Sequence, residues 1–308
     1  MIRCCLPVLA GCFAVSAVAA ATVRETFATD PALAGWQVYG DTNFFQWNPT
    51  NHVLDVTWDS TQTNSFFYYP LGRTYTLTNS FCVQFDLRLN DATATGYGSE
   101  LAVGLFRFAD ATNTDYVRTY GTLPNLCEFD YFPPDDYGDS ASMDGTLIDA
   151  ATYYYFAYDN QLITTGMTYQ VRLTHLAGST VIAGEVFTNG QLMTALPESY
   201  ANGAGDFQLD TLAVSSYGDN GYGDILAHGT VSNLAFASPL PIGLIQMEAG
   251  QVTFLSDTNW QYTLEASTDL QTWSPAAPAV IGNGTNLWLQ PGQPPADHAF
   301  FRVTAILP

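Results

Sequence analysis

The chain has 308 residues, a formal net charge of −21 and eight basic residues, all of them arginine. The absence of lysine excludes Schiff-base chemistry and a phosphate-cradling P-loop, and the acidity excludes a basic nucleic-acid footprint. It also makes anionic membranes and polyanions unfavourable partners. The first segment, 1–21, reads as a secretory signal: Arg3 gives a positive start, Cys4 to Val18 is apolar, and Ala17-Val18-Ala19 or Ala19-Ala20-Ala21 offers a small-residue cleavage site. Leu9-Ala10-Gly11-Cys12 keeps a lipoprotein signal open as an alternative. No other stretch is long enough to span a bilayer, so the expected location is extracellular or at the cell surface.

Strand-like runs bounded by Gly, Asn, Asp and Pro follow one another along the chain. They are Thr22–Phe27, His52–Trp58, Phe66–Tyr69, Phe81–Leu89, Glu100–Phe108, Tyr116–Tyr120, Leu126–Phe132, Tyr153–Tyr158, Tyr169–His175, Val181–Thr188, Asp206–Tyr217 and Gly229–Ala237. No segment sustains a helical period, and the spacing predicts an all-β antiparallel sandwich over 22–237. Ala177-Gly178-Ser179 and Asn189-Gly190 mark hairpin turns. Ser238-Pro239-Leu240-Pro241-Ile242-Gly243 breaks the pattern, and strand-like runs beyond it predict a small β-module over 238–308.

Of five cysteines, only Cys82 and Cys127 lie beyond the signal. In Phe81–Leu89 the apolar face holds Val83, Phe85, Leu87 and Leu89, so Cys82 points with Gln84, Asp86 and Arg88. Cys127 points with the apolar face of its own strand. That difference in parity predicts two free thiols.

Residues 22–237 resemble the concanavalin A-like, laminin G-like β-sandwich superfamily. The resemblance rests on an opening strand, the hairpin ending in Asn189-Gly190, and a closing strand Gly229-Thr230-Val231-Ser232-Asn233-Leu234 that would return beside the first. Gly35-Trp36, Gly40-Asp41, Val56-Thr57-Trp58-Asp59-Ser60 and Glu128-Phe129-Asp130-Tyr131-Phe132-Pro133 are similar to phrases in secreted proteins of Verrucomicrobia-type bacteria. The tail from Tyr262 to Trp273, ending at Phe300-Phe301-Arg302, is similar to a C-terminal β-module of such exported proteins. The resemblance implies a jelly-roll fold shared by lectins, binding modules, lyases and glycosidases. The tail from Ile242 to Pro308 is expected to serve export or surface attachment through a protein partner and to take no part in ligand recognition. Arg302, His298 and its scattered carboxylates converge on no site. Trp260, Trp273 and Trp288 read as core of a small domain, the alternative being sugar-stacking rings of a second carbohydrate module.

Strict alternation sets Glu128, Asp130 and Phe132 on one face of their strand. Laminarinase-type glycosidases of the same superfamily carry Glu-x-Asp and then a second Glu. Glu128 and Asp130 match the first two, but Phe132 and Pro133-Pro134 stand where the third acid belongs. No catalytic residue is therefore assigned. The expected function is a non-catalytic, glycan-recognising module whose ligand face carries Glu128, Asp130, Phe132, Asp86, Arg88 and Tyr120, with Asp86 and Arg88 pairing with the two acids across the sheet. The alternatives are a divergent polysaccharide hydrolase or lyase, for which Arg88, Arg118 and His175 are the only bases at hand, and a structural envelope or matrix protein with no small ligand. No cofactor is certain. Two Asp-rich loops, one with Asp135, Asp136 and Asp139 and with Asp144 beyond, the other with Asp219 and Asp224, are candidate Ca²⁺ ligands. Turn propensity explains the same residues without a metal.

Overall fold

The structure is a computed structural model. It describes residues 21–96, 101–114, 116, 118, 125–135, 140–149, 159–196, 198–199, 205–218, 223–238, 246–248, 251–256, 260–268, 272–283, 285–292 and 300–306. The signal reading (1–21) and the tyrosine run Tyr153–Tyr158 lie outside these residues, apart from Ala21.

Two sheets face each other. In spatial order the first, sheet A, holds β12 (Gln191–Leu196), β11 (Ala183–Thr188), β10 (Thr168–His175), β6 (Phe81–Gly96), β15 (Gly223–Ser238), β4 (Val53–Asp59) and β3 (Phe45–Asn48), and β1 (Ala21–Glu25) also pairs with β15. Sheet B holds β13 (Glu198–Ser199), β9 (Ser142–Ile148), β8 (Leu126–Phe132), β7 (Leu101–Phe106), β14 (Leu209–Ser216), β5 (Ser65–Tyr75) and β2 (Gln37–Tyr39). Every pairing in these two sheets is antiparallel except β13 with β9. The expected all-β sandwich is thus the observed one, and its opening and closing strands meet, with Ala21 opposite Ser238 and Glu25 opposite Leu234.

Alternation decides which side chains fill the space between the sheets. Val83, Phe85, Leu87 and Leu89 of β6 and Cys127, Phe129 and Tyr131 of β8 belong to one buried cluster, and the Phe85 and Phe129 rings meet at 5.9 Å. In β4 the same rule buries Leu54, Val56 and Trp58 and leaves their neighbours half-covered. The β11–β12 hairpin turns at Asn189 and Gly190, whose φ angles are 50° and 73°. Two left-handed residues in succession match the twist of the flanking strands.

Of the expected strand Tyr116–Tyr120 only Tyr116 and Arg118 are among the described residues, and neither is in a strand: Tyr116 lies outside any regular element and Arg118 sits in a turn. The chain there follows a short helix, α1 (Phe108–Ala111), and carries Tyr116 into a second buried cluster. That cluster joins Tyr116 and Ala111 to Phe66, Ala102, Phe106, Leu126, Ile148, Ala213 and Tyr217, so it covers the outer side of sheet B.

Beyond the sandwich, β16 (Gln246–Glu248), β17 (Gln251–Leu255) and β21 (Asn286–Leu289) form one small sheet. β19 (Ser274–Pro275), β18 (Gln261–Ser267), β20 (Val280–Ile281) and β22 (Phe300–Ile306) form another. Their buried side chains, Trp260, Tyr262, Leu264, Phe254 and others, share a cluster with Cys82, Ala235 and Ala237 on the outer side of sheet A. Three small residues at that corner let the second pair of sheets come close.

Candidate functional site

Glu128 and Asp130 do share a face of β8, as alternation requires, but that face is closed. Both are fully buried, and so is Asp144. The cross-strand partner of Asp130 on β9 is Asp144, and that of Glu128 is Thr146. On the other side Glu128 lies opposite Gly104 of β7, where a Cβ would come within 2.2 Å of the Cys127 carbonyl oxygen and 2.6 Å of Glu128 Cα. The glycine thus leaves the Glu128 side chain room to lie across β7 toward β14. There Tyr217 donates its hydroxyl hydrogen to Glu128 Oε1 at 2.6 Å, and Ser215 Oγ lies 3.5 Å from the same oxygen.

Arg118 supplies the positive charge. Its Nη2 donates to Asp130 Oδ2 at 2.6 Å, and its Nε lies 3.5 Å from Glu128 Oε2, with only 2% of the arginine side chain exposed. Thr146 Oγ1 donates to the same Asp130 oxygen at 2.6 Å. Burial, then the charge of Asp130, pushes the Glu128 carboxyl up to about 8 against the lowering effects of Arg118 and Tyr217. The tight Arg118–Asp130 contact lies at the centre of the cluster, with Glu128 beside it. Alternation alone could not reveal Arg118 or Tyr217. The arginine stands 12 residues from its acid in the chain and the tyrosine 89 residues from Glu128, and neither pairs with it in a ladder.

Asp86 and Arg88 are not across the sheet from these acids, which corrects the expected pairing. β6 pairs with β10 and β15, not with β8, so Asp86 lies opposite Gln170 and Ser232, and Arg88 opposite Thr168 and Thr230. Because β6 and β8 turn their apolar sides toward each other, their polar sides face away on opposite surfaces of the sandwich. The lyase set disperses for the same reason. Arg88 is exposed on sheet A and Arg118 is buried behind sheet B. His175 is buried against Phe81 with each ring nitrogen 2.7 Å from a carbonyl oxygen, of Asn79 and Ser179.

On its own surface the Asp86–Arg88 pair borders a cleft of about 310 Å³, lined by Asn51, Val53, Asp86, Arg88, Thr168, Thr230 and Ser232. A bulge in β15 between Ser232 and Ala235 sets one end of it. Asn233 takes a left-handed φ of 49° there, and its amide donates to Asp86 Oδ2 at 2.7 Å. Burial raises the Asp86 carboxyl, opposed by its hydrogen bonds from Asn233 and Gln170. The cleft is therefore an anchored carboxylate, a guanidinium, three hydroxyls and an amide around one valine. Such a set can accept and donate hydrogen bonds to a polyhydroxylated ligand, and its size falls at the small end of the usual range of about 300–1000 Å³.

The remaining expected residues separate. Phe132 is half-buried at the end of β8, and Tyr120 lies outside the described residues. Of the candidate Ca²⁺ ligands, Asp136, Asp139 and Asp219 lie outside them too, Asp135 is half-buried and Asp224 is exposed at the start of β15. Asp144 belongs to the buried cluster and not to an acidic loop. Among the described residues no group of three His, Cys, Asp or Glu is placed to hold a metal ion. Cys82 and Cys127 are free, one on the outer side of sheet A and the other between the sheets, as their parity predicts.

No family model matches the chain, and no curated protein matches its sequence. Solved structures are similar to it over about two thirds of its length. The carbohydrate recognition domain of Emp46p in its metal-free form is 14% identical, covers 67% of this chain and 92% of its own, and has a TM-score of 0.38. The alginate lyase Aly36B is 10% identical, with coverage of 70% and 96% and a TM-score of 0.39. Peanut lectin is 11% identical, with coverage of 71% and 97% and a TM-score of 0.43. These proteins are similar to this chain as antiparallel β-sandwiches, and the likeness goes no further than fold.

Proposed function

We propose that the chain is an exported, glycan-recognising module that holds its ligand in the Asp86–Arg88 cleft and carries out no catalysis. The cleft itself is the observation that supports this reading: an open hollow on a sheet face, lined almost wholly by hydrogen-bonding side chains, with its carboxylate fixed by Asn233. Vicinal hydroxyls match a carboxylate that accepts and a guanidinium that donates in a forked geometry. The enclosure of Glu128 and Asp130 supports the non-catalytic half, since a glycosidase acid and nucleophile must reach the scissile bond. Export rests on the sequence of 1–21. No helix among the described residues is long and apolar enough to cross a membrane.

A glycan array probed with the full chain, with Asp86→Ala/Arg88→Ala and with Glu128→Gln tests the assignment. Binding to mono- and disaccharide spots that disappears in the double variant and persists in Glu128→Gln is the expected result. The opposite pattern returns the ligand to the sheet B face. An array on which the unaltered chain binds nothing favours the structural, ligand-free alternative. Release of reducing ends or unsaturated products from a polysaccharide panel, abolished by Glu128→Gln, would overturn the non-catalytic reading.

A further inference from the structure

The tail contains three tryptophans with three different fates. Trp260 is 2% exposed in the cluster beneath sheet A. Trp273 lies under the Arg302 guanidinium, 4.4 Å from ring centroid to the cation carbon. Trp288 is 65% exposed. It sits in β21, where alternation turns Leu287 and Leu289 into the cluster and Asn286 and Trp288 outward. The inner face of the small sheet is thus closed by leucines, Val252 and Phe254, and the indole adds nothing to it. The indole therefore stands free on the open side of the sheet, and among the described tryptophans it is the most exposed.

Its nearest neighbours in the ladder are polar and uncharged. Trp288 stands opposite Thr253 of β17, and Gln251 donates its side-chain amide to Gln290 at 3.4 Å beside it. Register then sets Gln246 and Glu248 of β16 opposite Thr253 and Gln251. We propose that this three-stranded face, centred on Trp288, is a second ligand site that binds a neutral polysaccharide chain. A pyranose ring has an apolar C–H side that stacks on an indole and a rim of hydroxyls that pairs with amides, which both donate and accept. Charge selects the polymer class. The face has no cation among its described side chains, Glu248 belongs to its register, and the whole chain carries −21, so a polyanionic glycan is repelled. An open sheet face with no hollow around Trp288 among the described residues selects a chain over a single sugar, because it must collect its contacts from several successive rings. The site is independent of the Asp86–Arg88 cleft, and it gives Trp288 the sugar-stacking role that the sequence ranks below a place in the core.

Native gel electrophoresis of the full chain through gels containing laminarin, hydroxyethylcellulose, galactomannan or alginate tests the proposal. The unaltered chain and Asp86→Ala/Arg88→Ala should both be retarded by at least one of the three neutral polymers, and by alginate not at all. Trp288→Ala should weaken that retardation at least about tenfold, which is about 1.4 kcal/mol, and Trp288→Phe should restore most of it. Circular dichroism of both variants should match the unaltered chain, because residue 288 is outside the core. Equal retardation of Trp288→Ala, or no retardation of the unaltered chain in any neutral gel, overturns the proposal. So does a dimer in sedimentation that Trp288→Ala converts to monomer, since the face would then be a contact between copies. Loss of binding in the cleft variant with Trp288→Ala unaffected rejects this site and leaves the cleft standing.

Discussion

The residue that most rewards measurement is Glu128. Burial pushes its carboxyl up to about 8 in the fold, against about 4.3 in an unfolded chain. Between those values the folded protein holds a proton that the unfolded one has released, so folding stability is full below the lower value and declines as pH rises through the upper one. Urea midpoints measured from pH 5 to 9 should fall across this window. Glu128→Gln, which keeps the shape and removes the titration, should flatten the fall, and a slope identical in both proteins would refute the assignment. Arg118→Met removes the cation and leaves Asp130 buried beside a second carboxyl. It should cost about 3–5 kcal/mol, the usual result of breaking a buried pair from one side, and urea denaturation reads it directly. Alternation was enough to place Glu128 and Asp130 together and Cys127 opposite them. What covers them was not legible, because Arg118 and Tyr217 arrive from a turn and from the end of another strand, where no period exists to be read.

At the scale of elements, the sequence was most informative where one face is buried and the other is wet. Leu126–Phe132 was read with its observed limits, and the Asn189-Gly190 hairpin turns where its residues require. Tyr116 and Arg118 stand where aromatic content suits a strand, yet neither is in one, and Arg118 is drawn down onto Asp130. The sequence was also silent on the β15 bulge, because bulges interrupt the very pattern by which strands are recognised. Two glycine or asparagine positions give tests here. Gly104→Ala would drive a methyl into the backbone of β8 and should cost about 3 kcal/mol by overpacking. A urea midpoint within error of the unaltered protein would show that β7 and β8 can separate freely. Asn233→Gly keeps the left-handed backbone and removes the amide that fixes Asp86. Thermal stability should change little while glycan affinity at the cleft drops several-fold, and unchanged affinity would mean that Asp86 needs no anchor.

For the whole molecule, the corner at Cys82, Ala235 and Ala237 ties the tail sheets to the sandwich through a shared apolar cluster. Burial pushes the Cys82 thiol up to about 11, so it should be inert toward a thiol reagent at neutral pH. In a chain lacking 1–21, deleting residues 242–308 should expose Cys82 and give one reactive thiol, with Cys127 still protected between the sheets. Two reactive thiols would mean that the sandwich needs the tail to fold, and none would mean that something else covers the corner. A different consequence comes from β1 lying against the far end of β15, with Ala21 beside Ser238. The long central pairing of β6 with β15 joins Gly96 to Gly223 and Cys82 to Ala237, so the middle of sheet A is made of segments far apart in the chain. Such non-local topologies fold slowly, on the order of milliseconds to seconds. A ribosome or export channel releasing this protein from its N-terminus therefore presents Val83, Phe85, Leu87 and Leu89 to water long before their neighbour on β15 has emerged. A net charge of −21 opposes contact between unfinished chains during that interval through mutual repulsion.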